Sequence, residues 1–415
     1  MGRNLSFAGS AADATPYHGI ADAPILAPPP VRSERQLHVL TLTPFYPNAD
    51  DDAQGCFVAE SLSGLERQGV THTVIAAQPF YYGRARASAS APRADWAHYL
   101  SLPGNLGLPA SGTFLFANVL RKVRRLHQAH PVNLIHAHSP LPCGHAAALL
   151  SRQLGIPYVV TVHGLDAFFT EQAGIAASWC KRISQRVYRS AHCVICISER
   201  VRDQVKKGAG CPVHTAVVYN GVDPEVFSPA NESSGASHIL SVGNLIPIKG
   251  HELLLRALAA IRGRFPDVTC DIIGDGKERS RLRLLARELD LRDRVHFLGR
   301  KGRTQVAEAM CRCTVFALPS RYEGLGCVYL EAMSSAKPVI ACQGQGIGDV
   351  IQHGVNGWLV SPDDVNDLAG ALSLLLQSAH LRQQLGRAAR RTVLGSLTLT
   401  HQAEQLAAIY RERVA

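Results

Sequence analysis

Two carboxylates, Glu323 and Glu331, flank a turn containing Gly324, Leu325 and Gly326 in the segment LPSRYEGLGCVYLEAM, 318–333. The apolar run TVFALPS (314–320) reads as a strand, and the spacing after Gly326 predicts a helix with Glu331 in its second turn. Glycines at such a place let a ligand approach the backbone and leave the first helical N–H groups open, an arrangement suited to a phosphate. Carboxylates on either side suit polyols, because a charged acceptor bonds hydroxyl donors strongly. Glu331 is then placed for a ribose and Glu323 for a sugar. The plainer alternative is a loop acid and a helix acid in solvent, but Leu330, Ala332 and Met333 crowd Glu331.

Lys249, in LSVGNLIPIKG (240–250), taken alone reads as a solvated lysine at a helix start. His163 ends the strand PYVVTVHG (157–164); its imidazole can donate to a hydroxyl or cap nearby carbonyls. Asp166 fits a role in fixing the HGLD turn. His136 and His138 stand two apart on a strand end, but no third residue follows at metal spacing, so no metal site is expected. Asp50, Asp51 and Asp52 sit in a turn-rich loop and read as solvated, or as a lip on one side of a binding cleft. Cys193 and Cys196 are spelled like a redox pair, yet they lie within a strand and face opposite ways.

These residues need elements to hold them. From residue 36 short apolar runs alternate with helix-length amphipathic segments, twice, around the polar linker NESSGAS (231–237). That pattern predicts an α/β fold of two parallel-sheet domains, 36–230 and 238–395. A leader rich in Ala, Pro, Ser and Gly (1–35) reads as disordered, the polar stretch 82–97 reads as a long loop, and residues 396–415 read as a C-terminal helix able to pack back on the first domain. In open parallel sheets ligands bind beyond the carboxyl ends of strands, which is where the candidates cluster.

The 415 residues suffice for two cores, and no apolar run is long enough to span a bilayer. The 11 cysteines, several within apolar strands, suit buried thiols in a reducing compartment, so cytoplasmic residence is expected. The net charge of +10 is densest at Arg121, Lys122, Arg124 and Arg125, on a segment with apolar residues at helical spacing. An ordinary helix packed on its own sheet is the first reading, with contact to an anionic membrane surface, on its inner face, as a candidate addition. No zinc spacing, helix-turn-helix or aromatic-interleaved basic stripe points to nucleic acid.

The E-x7-E arrangement followed by an Ala-Met helix resembles the signature of family 4 glycosyltransferases, which have the GT-B architecture of two facing Rossmann-like domains with an inter-domain cleft, implying that 36–230 binds the acceptor and 238–395 the nucleotide-sugar. IHAHSPLPCG (135–144), TVHGLDAF (161–168), VVYNGVDPEVFSP (217–229), LSVGNLIPIKG (240–250), IIGDGKERSRL (272–282), FLG (297–299) and IQHGVNGWLV (351–360) are similar to that family's other blocks, in order. PNADDDAQGCFVAESLSGL (47–65) resembles a subset of it. The resemblance implies transfer of a sugar, with retention, from a nucleotide-sugar (a UDP-sugar) to a hydroxyl of a glycan or lipid-linked glycan. It implies neither metal nor cofactor besides the donor. Lys249 would contact the diphosphate, and His163 would reach the donor sugar; with Glu323 they form the candidate catalytic set. Gly274, Asp275 and Gly299 would lie beside the nucleotide, and the turn of Gly344, Gly346 and Gly348 near the phosphates. The chain departs from the family at Asn244, where Arg is usual, and at Gly348 and Asp349, where Pro and Glu are commoner. A UDP-sugar 2-epimerase shares the two lobes but lacks the E-x7-E turn; a non-catalytic glycan- or nucleotide-binding protein is the other alternative.

Overall fold

The computed structural model describes residues 37–49, 51–83, 91–102, 107–168, 175–229 and 237–414. The leader, Asp50 and nearly all of the 231–237 linker lie outside the described residues. In the first lobe β1 (Leu37–Thr43), α1 (Cys56–Arg67), β2 (Val70–Pro79), β3 (Ala94–Tyr99), α2 (Leu108–Ala129), β4 (Leu134–His138) and α3 (His145–Leu154) are followed by β5 (Tyr158–Val162), α4 (Leu165–Phe168), α5 (Ile175–Ser190), β6 (Cys193–Cys196), α6 (Glu199–Ala209) and β7 (Thr215–Val217). The strands form one sheet in the order β3-β2-β1-β4-β5-β6-β7, and the pairs from β1 outward to both edges are parallel. Helical crossovers on both faces explain why β4, β5 and β6 are buried at every position.

The second lobe repeats the scheme with β8 (His238–Val242), α7 (His251–Ile261), β9 (Thr269–Ile273), α8 (Arg279–Glu288), β10 (Val295–Gly299), α9 (Arg303–Arg312), β11 (Val315–Leu318) and α10 (Cys327–Ser334). Then come β12 (Val339–Cys342), β13 (Trp358–Val360), α11 (Val365–Gln377), α12 (Ala379–Ser396) and α13 (Leu399–Val414). Its parallel sheet has the order β10-β9-β8-β11-β12-β13. The strand order reverses beside β1 in one lobe and β8 in the other. Such a switch point opens a crevice at the carboxyl ends of the neighbouring strands.

One expectation is corrected. The stretch 82–97 is not loop throughout: residues 84–90 lie outside the described set, and Ala94–Ala97 belong to β3, an edge strand pairing Val74–Pro79 of β2. An edge strand is covered on one side only, so ADWAHY carries too little apolar alternation to stand out. β13, only three residues long, is too short to show any alternation.

α2 buries Leu115, Val119 and Val123 against its sheet and turns Arg121, Lys122, Arg124 and Arg125 outward, Lys122 meeting Asp95 at 2.7 Å. Cys193 and Cys196 fall into different cores on opposite faces of β6, and all 11 cysteines are free. After α12 the chain returns to the first lobe. Val222 N–H donates to the Leu397 carbonyl at 3.0 Å, and α13 lays Ala403, Leu406, Ala407 and Tyr410 on the core that contains Val39, Leu134 and Val159.

Candidate functional site at the lobe junction

β11 ends at Leu318, and the chain turns through Ser320–Gly326 into α10. Gly326 caps that helix at φ 83°, a backbone region that strains any residue with a Cβ, and no side chain caps the first turn. Gly324 meets Gly164 of the HGLD turn from the other lobe. A Cβ on Gly164 would stand 2.8 Å from the Gly324 Cα, and one on Gly324 would stand 2.6 Å from the His163 carbonyl oxygen. Backbone therefore meets backbone across the junction, and the Ser198 hydroxyl seals it by donating to the Gly324 carbonyl. Leu325 is fully buried beneath.

The turn brings Glu323 and Lys249 together. Lys249 Nζ donates to Glu323 Oε1 at 2.5 Å, the Ser320 hydroxyl donates to the same oxygen at 3.0 Å, and Glu323 is 6% exposed. Gly346 N–H donates to the Glu323 carbonyl at 3.0 Å, which sets the Gly344–Gly348 turn against this loop. Asp349 reaches across to accept from the Glu199 N–H of α6 at 2.7 Å.

Beside this junction lies a cleft of about 770 Å³. Asn244, Gly274 and Glu331 line it. Glu331 is held by the Arg303 guanidinium, whose other nitrogen donates to Glu60 of α1 at 2.9 Å and whose plane lies 4.7 Å from the Phe227 ring centre. Burial opposes the charge of Arg303, but Glu331, Cys56 and Glu60 outweigh it and hold its pKa above the ordinary arginine value. Burial also pushes the Glu60 carboxyl up, against the pull of Arg303. Neither Arg303 nor Glu60 stands out in the sequence; the acid five residues into α1 and the arginine after Gly302 become partners only when the lobes meet. Asp51 likewise pairs with Arg300, so the aspartate loop is not wholly solvated but part of the cleft's lip.

Lys249, Glu323, Gly324, Leu325 and Gly326 are not among the residues that line this cleft. Gly299 closes β10 and Asp275 lies on the turn after β9, Asp275 accepting from Gly276 N–H at 2.8 Å and pairing with Arg279 at 3.2 Å. His163 packs against the Phe45 and Phe57 rings, with Asp166 accepting from its backbone N–H at 3.0 Å. Its Nε2 shares a proton with His138 Nδ1 at 3.0 Å, the two rings stacked at 14°. His136 is engaged at both nitrogens, by Thr161 at 2.7 Å and Tyr410 at 2.5 Å. The two histidines of IHAH therefore belong to a hydrogen-bonded stack that ends at His163.

Comparison with known proteins agrees with this geometry. Residues 55–226 match the model of "Glycosyltransferase Family 4" and residues 223–392 that of "Glycosyl transferases group 1". An uncharacterized glycosyltransferase of Methanocaldococcus jannaschii is 30% identical over 276 residues, 66% of this chain and 74% of the relative. The alpha-D-kanosaminyltransferase of Streptomyces kanamyceticus is 29% identical over 333 residues, 74% of this chain and 84% of the relative. Among solved structures, sucrose-phosphate synthase from Thermosynechococcus elongatus superposes with a TM-score of 0.73 at 21% identity, over 90% of this chain and 98% of that one. Anabaena HepE in complex with UDP follows at 0.72 and 20%, over 91% and 100%.

The buried histidines give the site a pH signature. Desolvation lowers His136 and His163 to about 3 and His72 to about 4. Unfolded, each titrates near its ordinary value of about 6.5. Between those values the unfolded chain binds more protons, so stability is full above pH ~6.5 and falls as pH drops below it, by on the order of 1 kcal/mol per unit for each histidine. Urea midpoints measured from pH 7.5 down to 5 should fall steeply, and less steeply in His136→Gln. A flat profile would mean that these rings are charged in the fold.

Proposed function

This chain belongs to the group 1 and family 4 glycosyltransferases, and within that family we propose that it moves a hexosyl group, with retention and without a metal ion, from a UDP-sugar to a hydroxyl of a glycan or lipid-linked glycan. The observation that carries this reading is Glu331, 4% exposed and oriented by Arg303, on the cleft wall one turn beyond the open helix start at Gly326. A nucleotide's ribose hydroxyls then meet a carboxylate while its diphosphate lies toward the α10 N-terminus, whose N–H groups and dipole stabilise the negative charge that grows as the sugar departs. Lys249 adds a cation close by. Asn244 lines the cleft where an arginine is usual in the family, and supplies hydrogen bonds in place of charge. The UDP bound by the Anabaena protein supports the choice of base.

Glu323 already accepts from Lys249 and Ser320 and is almost wholly buried, which favours same-face attack over a double displacement through it. In that step the bond from the anomeric carbon to the diphosphate oxygen breaks as the acceptor oxygen bonds to the same face. The departing phosphate oxygen takes the hydroxyl proton.

Glu331→Ala removes a charged acceptor of the kind that contributes about 1.5–3 kcal/mol, so calorimetry should show UDP binding weakened roughly ten- to a hundredfold. Glu323→Gln should cut turnover and leave UDP affinity unchanged or tighter, since Lys249 loses its competing partner. Equal loss of UDP binding in both variants contradicts this division of roles. Activity should also survive excess EDTA; a drop restored by manganese or magnesium would show that a metal, not Lys249 and the helix, neutralises the diphosphate.

A lipid-linked acceptor must be met at a surface, and α2 turns four basic side chains to solvent there, one of them shared with Asp95. Each basic side chain near an anionic bilayer contributes on the order of 1 kcal/mol. Full-length protein should co-sediment with anionic vesicles at low salt and release at high salt, and the Arg121/Lys122/Arg124/Arg125→Ala variant should stay in the supernatant. Equal binding by that variant would leave α2 as only a wall of its lobe.

A further inference from the structure

We propose that the first-lobe end of the cleft is a subsite for an uncharged pyranose, the ring of the acceptor that bears the reacting hydroxyl, stacked on Trp96 and hydrogen-bonded by Gln78. The proposal rests on the glycosyltransferase reading for the other end of the same cleft. Gln78 closes β2, Tyr82 follows it, and Trp96 and Tyr99 stand on β3; all four line the cleft with Glu331. Trp96 is half-buried, backed by the small core of Tyr46, Val58 and Leu62, so the indole is held by packing while part of it remains open. Tyr82 is 68% exposed at the mouth. A rigid aromatic wall matches the C–H face of a pyranose, and the ring's hydroxyls remain for polar partners.

Gln78 supplies the polar partner. Its side-chain oxygen is buried and, among the described residues, has no hydrogen-bond donor. A buried carbonyl left without a donor is costly, and such groups are ordinarily satisfied. A turn of the amide toward the cleft, which Gln78 lines, would let a sugar hydroxyl complete it.

Charge decides what kind of sugar fits. Among the described residues, the first-lobe lining of the cleft holds no lysine, arginine or histidine, and its charged members are Asp51 and Glu60. Arg300, Lys301 and Arg303 all belong to the second-lobe wall. Among the described residues, a phosphate or carboxylate at the first-lobe end would meet two acids, and the nearest cations, Arg300 and Arg303, are already paired with them. A cationic amino sugar gains little either, because Asp51 and Glu60 are already held by Arg300 and Arg303. The occupant that loses nothing is neutral.

The test is saturation-transfer NMR on the full-length protein with methyl α-glucopyranoside, mannopyranoside and galactopyranoside, and with myo-inositol 1-phosphate, each with and without UDP. At least one neutral glycoside should receive saturation, and the inositol phosphate should not. Trp96→Ala should weaken that glycoside's binding about tenfold, Gln78→Ala severalfold, and Trp96→Phe little, since a smaller aromatic face remains. UDP affinity, measured by calorimetry in every variant, should stay within about twofold of wild type, showing that the fold and the donor end are intact. The subsite is overturned if the inositol phosphate binds and the neutral glycosides do not, if no neutral glycoside binds, or if Trp96→Ala binds like wild type. Failure of UDP to bind wild type would instead sink the donor reading, because the glycoside signal is recorded without UDP as well.

Discussion

The two sheets can share a site because backbone touches backbone where they meet. Gly164 and Gly324 approach too closely for a side chain on either, and the Ser198 hydroxyl bonds the Gly324 carbonyl across the same seam. That contact brings the loop carrying Glu323 under the HGLD turn, sets the open start of α10 beside the cleft, and leaves Glu323 nearly inaccessible. A side chain at either glycine would wedge the lobes apart and undo several of these consequences together.

Around this seam the charged groups are arranged in pairs that bridge elements. Arg303 is divided between Glu60 of one lobe and Glu331 of the other, and Lys249 is committed to Glu323. Burying ions costs several kcal/mol each unless partners and hydrogen bonds offset it, so each group here has its partner close. The pairing has a chemical consequence for the donor. In the proposed donor site a diphosphate near Lys249 would join a cation whose charge is already shared, and a ribose at Glu331 would meet a carboxylate fixed in direction by Arg303. Positioning is complete before the ligand arrives, which limits the reorganisation that accompanies binding.

The cleft has two unlike walls. The second lobe contributes cations and the switch-point turns after β8 and β9, while the first contributes aromatic rings and acids already engaged. This asymmetry matches a reaction between an anionic nucleotide and a neutral partner. The histidine stack below it, from His136 through His138 to His163, stays uncharged because burial opposes protonation. The same burial couples the site to acid stability, and the Tyr410 hydroxyl connects the stack to the helix that returns from the second lobe.

Much of this was legible in the residues themselves. Alternation of apolar runs with amphipathic helices is a local property, so the paired parallel sheets could be read from it, and so could the turn bearing Glu323 and Glu331, whose glycines answer to a backbone shape set within a few residues. The edge strand ADWAHY was missed because a strand covered on one side shows little alternation. Arg303 and Glu60 were missed for a different reason: they meet across 243 residues, and no spacing pattern encodes a contact between two lobes. The aromatic wall at Trp96 and the orphan oxygen of Gln78 are likewise ordinary strand residues in the sequence. Residue types and periods determined which chemistry was available and which elements would carry it. The tertiary structure alone decided which of those groups face one another, because that depends on how closely two separately formed sheets can approach.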